Sequence, residues 1–133
     1  MSKPKILVVD DDKKIARLLA VILDRVGGFD VCEENHSTMA LTIAKGFRPD
    51  IAVLDVNMPG MDGGEVASAF RRDPVLCNTS ILFVTSIISK NEEGAHNGMY
   101  YLPKPVEPFK FIQTVREILE ARAAASTGAA CAA

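Results

Sequence analysis

Several strand-like runs of this 133-residue chain end in residues that can do chemistry. Asp10, Asp11 and Asp12 follow the apolar run KILVV, and Asp55 follows IAVL. Thr85 closes the run SILFVT, and Lys104 follows MYYLP. Several carboxylates at close quarters repel one another and do not all stay ionised unaided. A hard divalent cation such as Mg²⁺ resolves that repulsion. It takes oxygen ligands, keeps several waters, and is commonly held by one or two carboxylates plus phosphate oxygens. A lysine adds a point charge for a phosphoryl oxygen, and a threonine adds a hydroxyl donor. An aspartate can itself be the nucleophile of phosphoryl transfer, forming an acyl phosphate.

Such groups act together only if the fold brings the strand ends to one edge. Residues 5–9 read as a buried strand. Residues 13–28 read as a helix, with Ile15, Leu18, Leu19, Ile22 and Val26 at helical spacing and Gly27 and Gly28 closing it. Residues 29–34 form a second strand. Residues 37–47 form a second helix, with Ser37 as cap and Gly46 as stop. Residues 50–55 form a third strand, apolar up to Asp55. Residues 62–73 form a third helix, capped by Asp62 and broken by Pro74, and Gly63 suits a close turn. Residues 80–86 form a fourth strand. Residues 87–98 are weakly helical at best. Residues 99–105 form a fifth strand, and residues 107–125 form the last helix, with Phe109, Ile112, Val115 and Leu119 on one stripe.

Short apolar strands alternating with helices predict an α/β fold, a parallel sheet covered on both faces. With right-handed crossovers, the expected architecture is a flavodoxin-like (βα)5 three-layer sandwich of strand order 2-1-3-4-5. Pro103 favours an edge position for the fifth strand, because proline cannot donate to a central ladder. Sites in such sheets form beyond the carboxyl ends of the strands, at the switch point between strands 1 and 3.

Composition is that of an ordinary globular chain, with 48% hydrophobic and 24% charged residues. Length favours one domain, over residues 1–124, with a short flexible tail at 125–133. Net charge is -2 with no long basic run, so direct nucleic-acid binding is not expected. No apolar run is long enough to span a bilayer and no signal peptide is evident, so a cytoplasmic location without membrane contact is expected. Cys32, Cys77 and Cys131 lack metal-site spacing and are expected as reduced thiols. His36 and His96 have no partners at ligand spacing and read as surface residues.

The stretches VVDDD, LDVNMPGMDG, VTS and YLPKP occur in this order. Together they resemble the CheY-like receiver domain of bacterial two-component response regulators, over residues 5 to 119. The resemblance implies that Asp55 is the phosphoacceptor. It implies that Asp10 and Asp11 hold Mg²⁺, Asp11 directly and Asp10 mainly through water. Asp55 also touches the metal, and Asn57 offers its backbone carbonyl. Thr85 would bond the phosphoryl group and shift toward it, and Lys104 would pair with a phosphoryl oxygen. Tyr101 matches the aromatic switch residue, and the peptide bond before Pro105 is expected to be cis. Asp12, by contrast, reads as a helix cap.

The function implied is a phosphorelay switch. A sensor histidine kinase or phosphotransfer protein would donate a phosphoryl group to Asp55, and the changed conformation would control a downstream protein. Such a domain catalyses only its own phosphorylation and dephosphorylation and is not an enzyme acting on a separate metabolite. Two alternatives stand beside it. One is a Mg²⁺-dependent phosphohydrolase with an aspartyl nucleophile, but Asn57 stands where such enzymes carry an acid. The other is an unphosphorylated, constitutive protein-binding receiver. The stretch between Thr85 and Lys104 departs from the family pattern. It is short and contains Gly94, Asn97 and Gly98, poor residues for a helix interior. The residues after 125 are too few for another module, and a stand-alone receiver and a piece of a longer regulator both stay open.

Overall fold

The apolar, β-branched runs form the centre of one sheet. The computed structural model describes residues 3–86, 94–96 and 99–125. The strands are β1 (Lys5–Val9), β2 (Asp30–Glu34), β3 (Ile51–Leu54), β4 (Ser80–Thr85), β5 (Gly94–His96) and β6 (Met99–Pro103). Their spatial order is β2-β1-β3-β4-β6-β5. The first five in that order are parallel, so the expected 2-1-3-4-5 arrangement is present with β6 as its fifth strand. β3, buried at every residue, lies in the middle, between β1 and β4.

The edge differs from expectation. β5 pairs antiparallel with β6, matching Gly94 to Tyr101 and His96 to Met99. Residues 94–96 were expected to be weakly helical and are a strand instead. Glycine disfavours a helix interior, and the Asn97-Gly98 dipeptide between β5 and β6 is a strong hairpin signal in the sequence. The rest of the weakly helical stretch, 87–93, lies outside the described residues. β6 is therefore not the outermost strand along its first part. β5 ends opposite Tyr101, and Pro103 lies beyond it, where no donor is required of the proline.

Strand alternation sends side chains to two separate cores. Ile6, Val8, Ile51, Val53, Leu82 and Val84 pack beneath α1 (Lys13–Val21) and α4 (Pro108–Ala124). Leu7, Val9, Ala52, Leu54, Ile81 and Phe83 pack beneath α2 (Ala40–Phe47) and α3 (Gly63–Arg72). Phe111 anchors the first core and Phe70 the second, both fully buried. Each such ring contributes roughly 1.5–3 kcal/mol of apolar burial. In α4 the buried stripe is Phe111, Ile112, Val115 and Ile118. Phe109, expected on that stripe, is 78% exposed, because it stands in the first helical turn, ahead of the packed part.

Helix ends follow local chemistry. Asp12 caps α1, accepting from the N–H groups of Lys14 and Ile15 at 2.9 and 3.3 Å. α1 runs on as a π-helical turn through Ile22–Val26, and Gly27 and Gly28 end it, Gly28 at φ 70°. Asp62 and Glu65 form a reciprocal capping box on α3. α2 ends at Phe47 as expected, but the left-handed residue that stops it is Arg48 and not Gly46. Ser37 does not cap it either; its hydroxyl is engaged elsewhere, as shown below. Cys32 is a free thiol, as expected. Among the described residues, no helix is long and apolar enough to cross a membrane.

Candidate functional site

The parallel order brings the carboxyl ends of β1, β3, β4 and β6 side by side. Asp10 follows β1 directly and is 2% exposed. Asp11, next along, is exposed. Asp55 follows β3 and is half-buried, its N–H donating to the Val9 carbonyl at 3.1 Å. Carboxylate oxygens of Asp10, Asp11 and Asp55 all lie within 4.8 Å of one another. An all-oxygen donor set of this kind suits a hard divalent cation.

Lys104 reaches into this cluster from the end of β6. Its Nζ donates to Asp10 Oδ2 at 2.9 Å and lies 3.4 Å from Asp55 Oδ2. Its backbone N–H donates to the Thr85 carbonyl at 3.0 Å, which locks the ends of β4 and β6 together. The peptide bond from Lys104 to Pro105 is cis. Thr85 is buried at the end of β4. Asn57 is exposed, and its backbone N–H bonds to the Asp55 carboxylate. Tyr101 stacks on Phe83, with ring centroids 5.1 Å apart, on the α2–α3 side of the sheet. Its neighbour Tyr100 packs against the opposite core, as alternation requires.

The electrostatics follow from this crowding. Burial pushes the Asp55 carboxyl above the ordinary carboxylate range. The Lys104 charge pulls it back, Asp10 pushes it up again, and hydrogen bonds from Lys104 and the Asn57 N–H pull it down. Burial also works against the Lys104 ammonium. Its hydrogen bond to Asp10 and the charges of Asp10 and Asp55 outweigh that, so its pKa lies above the ordinary lysine value. The site therefore keeps its lysine charged and holds Asp55 in a less solvated state than a surface carboxylate.

The loop after Asp55 is tied down on three sides. The Gly63 N–H donates to the Val56 carbonyl at 2.9 Å. A Cβ on Gly63 would collide with the Asp55 carbonyl oxygen, so only glycine lets α3 start this close to β3. The third tie is Ser37. Its Oγ donates to the Pro59 carbonyl at 2.9 Å and accepts from the Met61 N–H at 3.2 Å. Sequence reasoning missed this role, since a serine ahead of an apolar run gives the same signal as a cap.

The family model of the response regulator receiver domain matches residues 6–116. The chain belongs to that family. Receiver sequences in longer proteins are clearly related to it. The chain is 35% identical over 117 residues to the DNA-binding response regulator MtrA of Mycobacterium tuberculosis, covering 86% of this chain and 50% of that protein. It is 35% identical over 131 residues to the transcriptional regulatory protein PrrA of Mycobacterium leprae, covering 96% and 54%. This receiver thus spans about half the length of the curated relatives it matches. Among solved structures it superimposes on the chemotaxis response regulator CheY4 of Vibrio cholerae with a TM-score of 0.76 and 31% identity, covering 88% of this chain and 99% of that one. A putative response regulator from Chloroflexus aurantiacus gives 0.77 and 31%, covering 89% and 99%.

Proposed function

We propose that this receiver accepts a phosphoryl group on Asp55 from a histidine kinase or phosphotransfer protein and switches conformation to control a protein partner. The observation that carries the reading is the convergence of Lys104, Asp10, Asp11 and Asp55 at one sheet edge. Mg²⁺, held by Asp10, Asp11, Asp55 and the Asn57 carbonyl, would supply positive charge for the phosphoryl oxygens.

The chain's own groups divide the remaining work. An Asp55 carboxylate oxygen attacks phosphorus, the bond from phosphorus to the donor nitrogen breaks, and the imidazole leaves with that electron pair. Partial burial strips water from Asp55, while Lys104 keeps its charge tolerable before transfer and moves to pair with a phosphoryl oxygen after it. Thr85 offers a hydroxyl to the same group. The new charge at the ends of β3 and β4 biases Thr85 and Tyr101 toward a second arrangement, which the partner reads. The substrate is the domain itself, so no separate metabolite is turned over. Its charge balance favours a protein partner over nucleic acid, and it acts in the cytoplasm.

The test is incubation with acetyl phosphate, with and without Mg²⁺, followed by intact mass spectrometry beside Asp55→Ala. One added phosphoryl group that needs Mg²⁺ and is absent from the variant supports the reading. An unmodified wild-type chain counts against it.

A further inference from the structure

The segment between β2 and α2 makes contacts that neither strand pairing nor helix capping requires. Ser37 is 3% exposed. Among the described residues, both hydrogen-bond partners of its hydroxyl, the Pro59 carbonyl and the Met61 N–H, belong to the loop that follows Asp55. The 3-10 turn that Ser37 opens takes no side-chain cap, so the hydroxyl serves the loop and not its own helix. Two residues earlier, Asn35 Nδ2 donates to the Asp10 carbonyl at 3.0 Å. The Asp10 N–H returns to the Glu34 carbonyl at 3.2 Å. One short segment thus holds both acidic strand ends, Asp10 from one side and the Asp55 loop from the other.

The loop needs an outside tie. Asn57, Pro59 and Gly60 are exposed, and Gly60 sits at φ 86° with Thr38 packed close against it. The loop carries the Asn57 N–H that bonds the Asp55 carboxylate. Pro59 is two residues and Met61 four residues along the chain from Asn57, so slack at either would pass directly to that contact. A buried hydroxyl is retained at little cost only when both its donor and its acceptor capacities are used, and here the loop uses both.

We infer that Ser37 is a positioning residue for the Asp55 loop, setting the affinity of the carboxylate cluster for a divalent cation, with Asn35 doing the same for Asp10. The inference rests on the proposed cation-binding role of Asp10, Asp11 and Asp55. Groups that orient ligands without touching the metal typically change metal affinity by about 10–100-fold when removed.

The experiment is Mg²⁺ titration by calorimetry on the full chain, with melting curves taken without Mg²⁺. Four proteins are compared: wild type, Ser37→Ala, Ser37→Cys and Val115→Ala. Ser37→Cys keeps the side-chain volume with a much weaker hydrogen-bonding group and guards against misfolding of the alanine variant. Val115→Ala loosens the opposite core without touching the loop. Both Ser37 variants are expected to bind Mg²⁺ about tenfold more weakly. Val115→Ala is expected to melt lower yet bind Mg²⁺ like wild type. Wild-type affinity in both Ser37 variants overturns the inference, as does an equal loss in Val115→Ala. A wild-type chain that binds no Mg²⁺ overturns the functional reading itself, and the inference with it.

Discussion

Lys104 sits closer to Asp10 than to Asp55, with Nζ 2.9 Å from one carboxylate and 3.4 Å from the other. The lysine therefore neutralises the most buried acid of the cluster before any ligand arrives, and it leaves Asp55 the looser partner. Two like charges share one cation, and the balance between them governs how the site responds to substitution and to pH.

Removing that cation strands a buried carboxylate. Lys104→Ala should lower stability by about 2–3 kcal/mol near neutral pH, because Asp10 loses its charge-assisted bond while Asp55 still repels it. The folded pKa of Lys104 is raised, so its contribution is whole below the ordinary lysine value of about 10.4. It fades as pH climbs through the higher folded value. Urea unfolding of wild type and variant at neutral and strongly alkaline pH should show the gap narrowing; a constant gap would refute the assignment.

Asp55 has the opposite balance. Burial raises its folded pKa above the unfolded one, so its contribution is favourable only while it is protonated and is lost as pH rises through the folded value. At neutral pH the ionised group costs stability. Asp55→Asn should therefore melt higher than wild type near pH 7, by on the order of a few degrees, with the difference vanishing on acidification. A variant that melts lower at neutral pH would mean that the Lys104 contact dominates after all.

Adjacent aspartates should separate by role. Mg²⁺ at about one hundred times its dissociation constant should stabilise the wild-type fold by about 2.7 kcal/mol. Asp11→Ala should abolish most of that gain. Asp12→Ala should keep the gain and lose about 1 kcal/mol of cap energy with or without Mg²⁺. Thermal shifts of the three proteins across a Mg²⁺ series distinguish the two patterns.

Two glycines should respond in opposite directions to the same substitution. Gly63→Ala drives a methyl into the Asp55 backbone and should cost about 1–3 kcal/mol. Gly46 lies inside α2 with open space around the position of a Cβ, so Gly46→Ala should gain about 0.5–1 kcal/mol. Chemical denaturation of both variants reads this directly.

Much of this was legible in the sequence, for identifiable reasons. Apolar runs ending in Asp10, Asp55, Thr85 and Lys104 marked the strands and showed which ends carry ionisable or hydroxyl side chains. Parallel pairing then left those ends no choice but one edge. Asp12 and Asp62 were readable as caps because capping is local. Ser37 was not, because its partners lie 22 and 24 residues away and depend on how the loop folds back. Phe109 and Gly46 misled for a related reason. Periodicity and composition describe a helix, but where packing begins and where a helix ends are set by neighbours such as β-strands and by Arg48 in its left-handed turn.

Among the described residues, the sheet separates the buried side chains into two sets with no member in common. Leu7 and Val8 share a peptide bond, yet Leu7 lies in the core with Phe70 and Val8 in the core with Phe111. Volume lost at Leu7 is therefore felt in the core that holds Phe70, and volume lost at Val8 in the core that holds Phe111. A strand residue thus shares its core with residues dozens of positions away and not with the residue beside it.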